Sequence, residues 1–241
     1  MGVSGGPYII QDGLVLSLDA GDINSYTSGS TTWKDLSGNE NNFTLQNSPA
    51  LTGSYLYFNG INQKADCVNS TFGNFGTGSF TLEYVLFTNG SGSNGFAAVI
   101  MKRWAVTNIG GASGFVDRIF ANVFYTQDSN PGGNRANVLE INYTTPRNVN
   151  NHIVQVINKD STGLIASGST YINSSLFASA NRTYIGDGSV NNGNTVRLMW
   201  SEGENGYLSG NLYSVRAYNR ALTPAEIRQN YNAIKTRLGL T

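Results

Sequence analysis

The sequence predicts an all-β fold, a two-sheet antiparallel sandwich carrying one C-terminal amphipathic helix, and three observations predict it. Short runs that alternate apolar and polar residues recur along the chain. Clusters of Gly, Asn and Ser separate them, and helical spacing is confined to the residues after Thr223. With 29 Gly and 5 Pro among 241 residues, tight turns dominate over long helices. A chain of this length buries about 70–75% of its unfolded surface, enough for one large domain without disulfides or structural metals.

The predicted strands, in order, are Leu14 to Asp19, Asn42 to Gln46, Tyr55 to Phe58, Phe80 to Phe87, Phe96 to Trp104, Phe115 to Tyr125, Val138 to Tyr143, His152 to Asn158, Thr183 to Ile185, Val196 to Trp200 and Asn211 to Tyr218. Phe80 to Phe87 becomes apolar on both faces toward its end, as a central strand does. In the last run Tyr213, Val215 and Ala217 fall on one face, while Leu212 and Tyr218 share the other with Ser214 and Arg216; this predicts one buried and one partly wet face. The helix has explicit start and stop signals. Thr223 is an N-cap, Pro224 suits the first helical position and Glu226 completes a capping box; Ile227, Tyr231, Ile234 and Leu238 follow at helical spacing, and Gly239 ends it. No composition break divides the chain. The expectation is an N-terminal arm over residues 1–11 and one domain over residues 12–241, with the glycine-rich stretches at residues 90–95, 110–114 and 130–133 as hairpin loops.

Charge excludes several classes of function. Lys and Arg number 15, as do Asp and Glu, so the net charge is zero and only 12% of residues are charged. A nucleic-acid partner is not expected, because such binders carry a basic excess that releases counterions from phosphates. No run approaches the ~20 apolar residues that span a bilayer, and the first residues lack the basic and apolar regions of a signal peptide. The expectation is a protein made in a cytoplasm, with no membrane partner.

The inventory for catalysis is small. His152 is the single histidine; its alternation with Val154 and Val156 favours a structural role over a general base. Cys67 has no second cysteine to pair with, and burial is its expected state. Glu202 and Glu204 have the alternate spacing of paired glycosidase carboxylates and sit beside Trp200, but their glycine-rich setting reads as a turn. No enzymatic activity is expected. Trp33, Trp104 and Trp200 lie near strand ends, where an indole stays accessible for stacking on a sugar. Trp104, Trp200, Glu202 and Glu204 are therefore the candidate ligand-binding residues. No cofactor is expected. Asp19, Asp22 and Asp35, in oxygen-rich turns, are the candidates for structural calcium, although Asx turns also account for such residues.

Two stretches carry a resemblance. Gly13-Leu-Val-Leu-Ser-Leu-Asp-Ala-Gly-Asp, followed by Thr32-Trp-Lys-Asp-Leu-Ser-Gly-Asn-Glu, resembles the opening of laminin-G-like, concanavalin A-like jelly-roll domains. Arg216-Ala-Tyr-Asn-Arg-Ala-Leu-Thr-Pro-Ala-Glu-Ile is similar to their closing strand and helix, with Tyr57-Phe-Asn-Gly, Ser79-Phe-Thr-Leu-Glu-Tyr-Val and Thr183-Tyr-Ile-Gly-Asp between them in order. Where the family pattern carries acids near a calcium-binding rim, this chain has Asn59 and Gln63. The version with Pro7-Tyr-Ile-Ile and Asp12-Gly-Leu-Val-Leu resembles virion proteins of tailed phages, in particular those of marine cyanobacteria. The resemblance implies a capsid-decoration or tail-accessory protein on the virion surface that contacts other virion proteins and adheres to a host glycan. A homotrimer is one assembly compatible with it, and a soluble carbohydrate-binding module or a glycan hydrolase or lyase are the alternatives.

Overall fold

Alternation at period two sends successive side chains to opposite faces. In the computed structural model, which describes residues 8–90, 92–93, 97–102, 113–118, 123–127, 138–184, 188–201 and 205–240, that alternation builds the following strands. β1 (Leu14–Asp19), β2 (Thr32–Trp33), β3 (Phe43–Gln46), β4 (Ala50–Thr52), β5 (Tyr55–Asn59) and β6 (Lys64–Cys67) come first. β7 (Phe80–Phe87), β8 (Ala98–Lys102), β9 (Gly114–Arg118), β10 (Val123–Gln127), β11 (Val138–Asn142) and β12 (Asn150–Lys159) follow. β13 (Ile165–Ile172), β14 (Ser175–Thr183), β15 (Arg197–Leu198), β16 (Trp200–Ser201), β17 (Gly206–Tyr207) and β18 (Ser209–Tyr218) lead into α1 (Pro224–Leu238).

Two large sheets form the sandwich. The first runs β14-β13-β12-β7-β18-β5-β4, with β1 also on β18, and the second runs β11-β10-β9-β8-β15-β6-β3-β2. The ladders are antiparallel. Phe80, Leu82, Tyr84 and Leu86 of β7 meet Phe43, Ile100, Phe115 and Phe124 of the second sheet in one buried core. Each such side chain contributes about 1.5–3 kcal/mol relative to exposure. Cys67 is in this core as expected, and burial pushes its thiol up to about 11.

The other face of the first sheet is also covered, which corrects the expectation of a partly wet face on β18. α1 packs there: Ile234 and Leu238 meet Val85 and Tyr213, while Ile227 meets Val154, Val156 and Tyr218. Ser214 and Arg216 are buried beneath it. The grouping of Tyr213 with Val215 and Ala217 is corrected as well. A bulge between Leu212 and Ser214, opposite Leu86 and Val85, puts an extra residue into β18 and turns Tyr213 toward the helix. Residues 8–10 run along α1, with the Ile10 amide donating to Asn230 Oδ1 at 2.9 Å and Gln229 Nε2 donating to the Tyr8 carbonyl at 2.8 Å.

The expected run Phe115 to Tyr125 is two strands, β9 and β10, that pair with each other. β8 covers only part of Phe96 to Trp104, whose end residues lie outside the described ones. Thr183 ends β14, and Ile185 lies outside the described residues. Among the described residues no helix is long and apolar enough to cross a membrane.

The helix caps form as the sequence predicts: the Thr223 side chain accepts from the Glu226 amide, Glu226 reaches back to the Thr223 amide, and Gly239 ends the helix at φ 61°. Thr223→Ala is expected to cost roughly 1 kcal/mol in urea denaturation with the slope unchanged. An unchanged midpoint would show the box idle.

Candidate functional site

Trp200 is the one candidate ligand-binding residue among those described. Met199, at φ 61°, breaks the chain between β15 and β16, so that Trp200 pairs with Tyr207 of β17 in a short hairpin rather than continuing the second sheet. Lys64 and Asp66 lie two apart on β6 and Arg197 pairs opposite Asp66, so all three project from one side of the sheet. Asp66 joins them, 2.9 Å from Lys64 Nζ and 3.7 Å from Arg197 Nε. The indole lies over these charges, its centroid 3.9 Å from Lys64 Nζ and 5.3 Å from Arg197 Cζ. Tyr207 flanks it at 6.0 Å with an interplanar angle of 36°, and Nε1 donates to Asn205 Oδ1 at 3.4 Å. Cations under the ring fix it as a half-exposed plate with charged and hydroxyl groups at its rim. Such a plate matches the C–H face of a sugar, whose weakly positive hydrogens are drawn to the negative ring face.

Trp104, Glu202 and Glu204 lie outside the described residues. Trp33, read as near a strand end, is fully buried in the core. The three candidate calcium aspartates are not brought together. Asp19 takes a forked pair of hydrogen bonds from Arg237. Asp22 caps its own turn through the Asn24 amide. Asp35 accepts from the amides of Ser17, Ser37 and Asn41 and from Ser37 Oγ at 2.7–3.0 Å, which fills both carboxylate oxygens. Among the described residues no group of three or more His, Cys, Asp and Glu is placed to hold a metal ion.

Two enclosed networks each hold a perturbed carboxyl. Beneath α1, Glu83 lies 3.0 Å from Arg216 Nη1 and 3.3 Å from His152 Nε2, and accepts from Asn230 Nδ2 at 2.6 Å. Burial would raise the Glu83 carboxyl, but His152, Arg216 and Asn230 outweigh it and hold the group at about 2. Between the sheets, Asp117 accepts from Tyr84 and Tyr143 and, at 2.8 Å, from Gln155 Nε2. Here burial outweighs the donors and pushes the carboxyl up to about 6. His152 itself is fully buried on the face of Val154 and Val156, as its alternation indicated.

Sequence reasoning missed a cleft of about 310 Å3 lined by Val15, Asn39, Asn41, Asn69, Thr71, Phe72, Gly73, Asn74, Phe75 and Asn219. Two separate segments, around Asn41 and around Asn69 to Asn74, and Asn219 just after β18 supply its asparagines. Each looks locally like a turn former, so no local signal could have assembled them.

No family model and no curated protein matches the sequence. Among solved structures, Trypanosoma rangeli sialidase in complex with sialic acid is similar at a TM-score of 0.60 and 17% identity over 92% of this chain. The receptor binding domain of botulinum neurotoxin C/D mosaic serotype is similar at 0.60 and 15% over 93%, and the binding domain of Paraclostridial Mosquitocidal Protein 1 at 0.53 and 17% over 92%. This chain spans 33% of that sialidase and 52% of each toxin domain. At these identities the likeness establishes the sandwich fold. It also corrects the expectation that the chain has no enzymatic activity, because a fold of this kind stands within sialidase chains. The physical reason is that charge content describes the bulk of a chain, whereas catalysis needs a few groups with shifted pKa values, and a charge-poor chain can hold these, as Asp117 illustrates.

Proposed function

We propose that this chain is a glycan-binding β-sandwich domain displayed on the surface of a tailed-phage particle, and that the Trp200 plate is its contact with a host saccharide. The observation that carries the reading is a half-exposed indole held from below by Lys64 and Arg197 and flanked by Tyr207. Solved neighbours described as a sialidase bound to sialic acid and as a receptor binding domain support a glycan-related role. The particle location rests on the sequence resemblance and on a zero net charge, which lets many copies sit side by side without mutual repulsion. Contacts with other virion proteins, and a trimer at a threefold site, belong to this proposal.

On an array of host cell-surface glycans, Trp200→Ala is expected to weaken binding by at least about 30-fold, the loss typical of a truncated aromatic anchor. Binding that survives Trp200→Ala, or an array without a hit, would sink the assignment. Quantitative mass spectrometry of purified particles tests the location: a copy number matching a capsid or tail lattice supports it, and absence from particles overturns it. Released reducing ends from cell-surface polysaccharide report whether cleavage accompanies binding.

A further inference from the structure

The geometry points to a second binding site, independent of the Trp200 plate: the asparagine-lined cleft takes one pyranose unit of an uncharged saccharide without a metal ion. At about 310 Å3 it lies at the lower end of the ~300–1,000 Å3 range of small-molecule sites. None of its lining side chains is charged. The carboxylate beside it, Asp35, has both oxygens filled by protein donors, and the nearby buried cation, Lys102, donates to the carbonyls of Ser70 and Asn194. Neither an anion nor a cation therefore finds an unsatisfied counter-charge there.

The polar groups match hydroxyls instead. A sugar hydroxyl both donates and accepts, and a carboxamide offers an acceptor and a donor side by side. Asn41 and Asn69 are fixed, since Asn41 Nδ2 donates to the Val15 carbonyl at 2.7 Å and Asn69 Nδ2 donates to Asn41 Oδ1 at 2.8 Å. Asn74 Oδ1 accepts from the Asn192 amide at 3.1 Å, which leaves Asn74 Nδ2 unused. Thr71 Oγ donates to Asn69 Oδ1 and keeps its acceptor capacity. The Asn219 side-chain amide is not engaged by any described residue; it lies over Gly13, where an added Cβ would stand 2.9 Å from its Oδ1. Phe75, stacked on Phe80 at 4.5 Å, supplies an apolar wall for the ring C–H groups. An added Cβ at Gly73 would stand 2.9 Å from the side chains of Lys102 and Val196, so this wall packs closely on the protein behind it and is formed before a ligand arrives.

The test is a titration of isotope-labelled protein followed by the side-chain amide signals of Asn74 and Asn219. The probes are the methyl glycosides of glucose, galactose and mannose, then N-acetylneuraminic acid, all with EDTA, and calcium chloride alone without EDTA. Saturable millimolar shifts are expected with at least one neutral glycoside. Asn219→Ala should weaken that binding about tenfold, and Thr71→Val should do the same if the first variant fails to fold. Trp200→Ala should leave it unchanged. The proposal is overturned if no neutral glycoside shifts these signals up to about 50 mM, if only the acidic sugar or calcium does, or if both cleft variants bind as the parent does. Loss on Trp200→Ala with no effect at Asn219 would overturn this site and leave the plate standing.

Discussion

Glu83→Ala is expected to lower the melting temperature at pH 7 by about 6–20 °C. The side chain it deletes is the shared acceptor for Arg216 and Asn230 and the neighbour of His152. Arg216 is 3% exposed and its second carboxylate, Asp19, lies 3.8 Å from Nη2 and is already held by Arg237, so removing Glu83 takes away the close partner of a guanidinium buried between β18 and α1, and breaking such a pair costs about 3–5 kcal/mol. In a domain of this size each kcal/mol moves the melting point by about 2–4 °C. Glu83→Gln, whose Oε1 still accepts from Arg216 while its Nε2 replaces the oxygen that accepts from Asn230, loses the charge and one hydrogen bond and should fall between the two. A melting point for Glu83→Ala within about 2 °C of the parent would show that the network contributes nothing. The carboxyl is depressed from 4.5 to about 2, so its stabilisation is complete above pH 4.5 and is lost as the pH falls toward 2.

Asp117 gives the second large effect, with the opposite sign. Its carboxyl is raised from 3.8 to about 6, so the folded chain holds a proton that the unfolded chain has released, and stability falls as the pH rises through that window. The loss amounts to about 3 kcal/mol at neutral pH. Asp117→Asn, whose Oδ1 accepts from Tyr84 and Gln155 while its Nδ2 donates to the Tyr143 hydroxyl oxygen, should flatten this slope and be at least as stable as the parent at pH 7. Asp117→Leu should be less stable at every pH, because three buried donors lose their acceptor at about 1–3 kcal/mol each. Urea unfolding at pH 4, 5, 6 and 7 decides the matter, and a parent-like slope in Asp117→Asn would remove this carboxyl from the account. Together the two acids put the optimum of their joint contribution at about pH 4, below neutrality.

Elements whose signal is local could be read from the chain. The capping box at Thr223 and Glu226 needs only three residues, and Phe80 to Phe87 shows its central place by being apolar on both faces. The β13–β14 hairpin was missed because its alternation is written in Ser, Gly, Ala and Thr, with Leu176 and Phe177 exposed, so the hydrophobic contrast that marks a strand is weak. Tyr213 misled because one bulge reverses the face of every residue before it. Asn230 sits at a polar place in the helix pattern and is nonetheless fully buried, since its amide joins Glu83, Tyr218 and the arm. In the candidate sites, Trp200 was legible as an aromatic residue at a strand end. The charges beneath it come from β6 and β15, far apart in sequence, and the cleft depends on residues near positions 40, 70 and 219.

β18 borders β7 on one side and, on the other, β5 and β1 in tandem, with Leu16 opposite Ala217. On a ribosome adding about 5–20 residues per second, β1 emerges some 10–40 s before the strand that completes its ladder. Through that interval β1 and β7 expose unpaired edges, and the sheet closes only when the last strand slides between them. Such late closure leaves the partly synthesised domain as the aggregation-prone species and gives it the slow folding of a high-contact-order topology. A ribosome stalled before Ser209 would hold a chain that lacks the central strand of its first sheet.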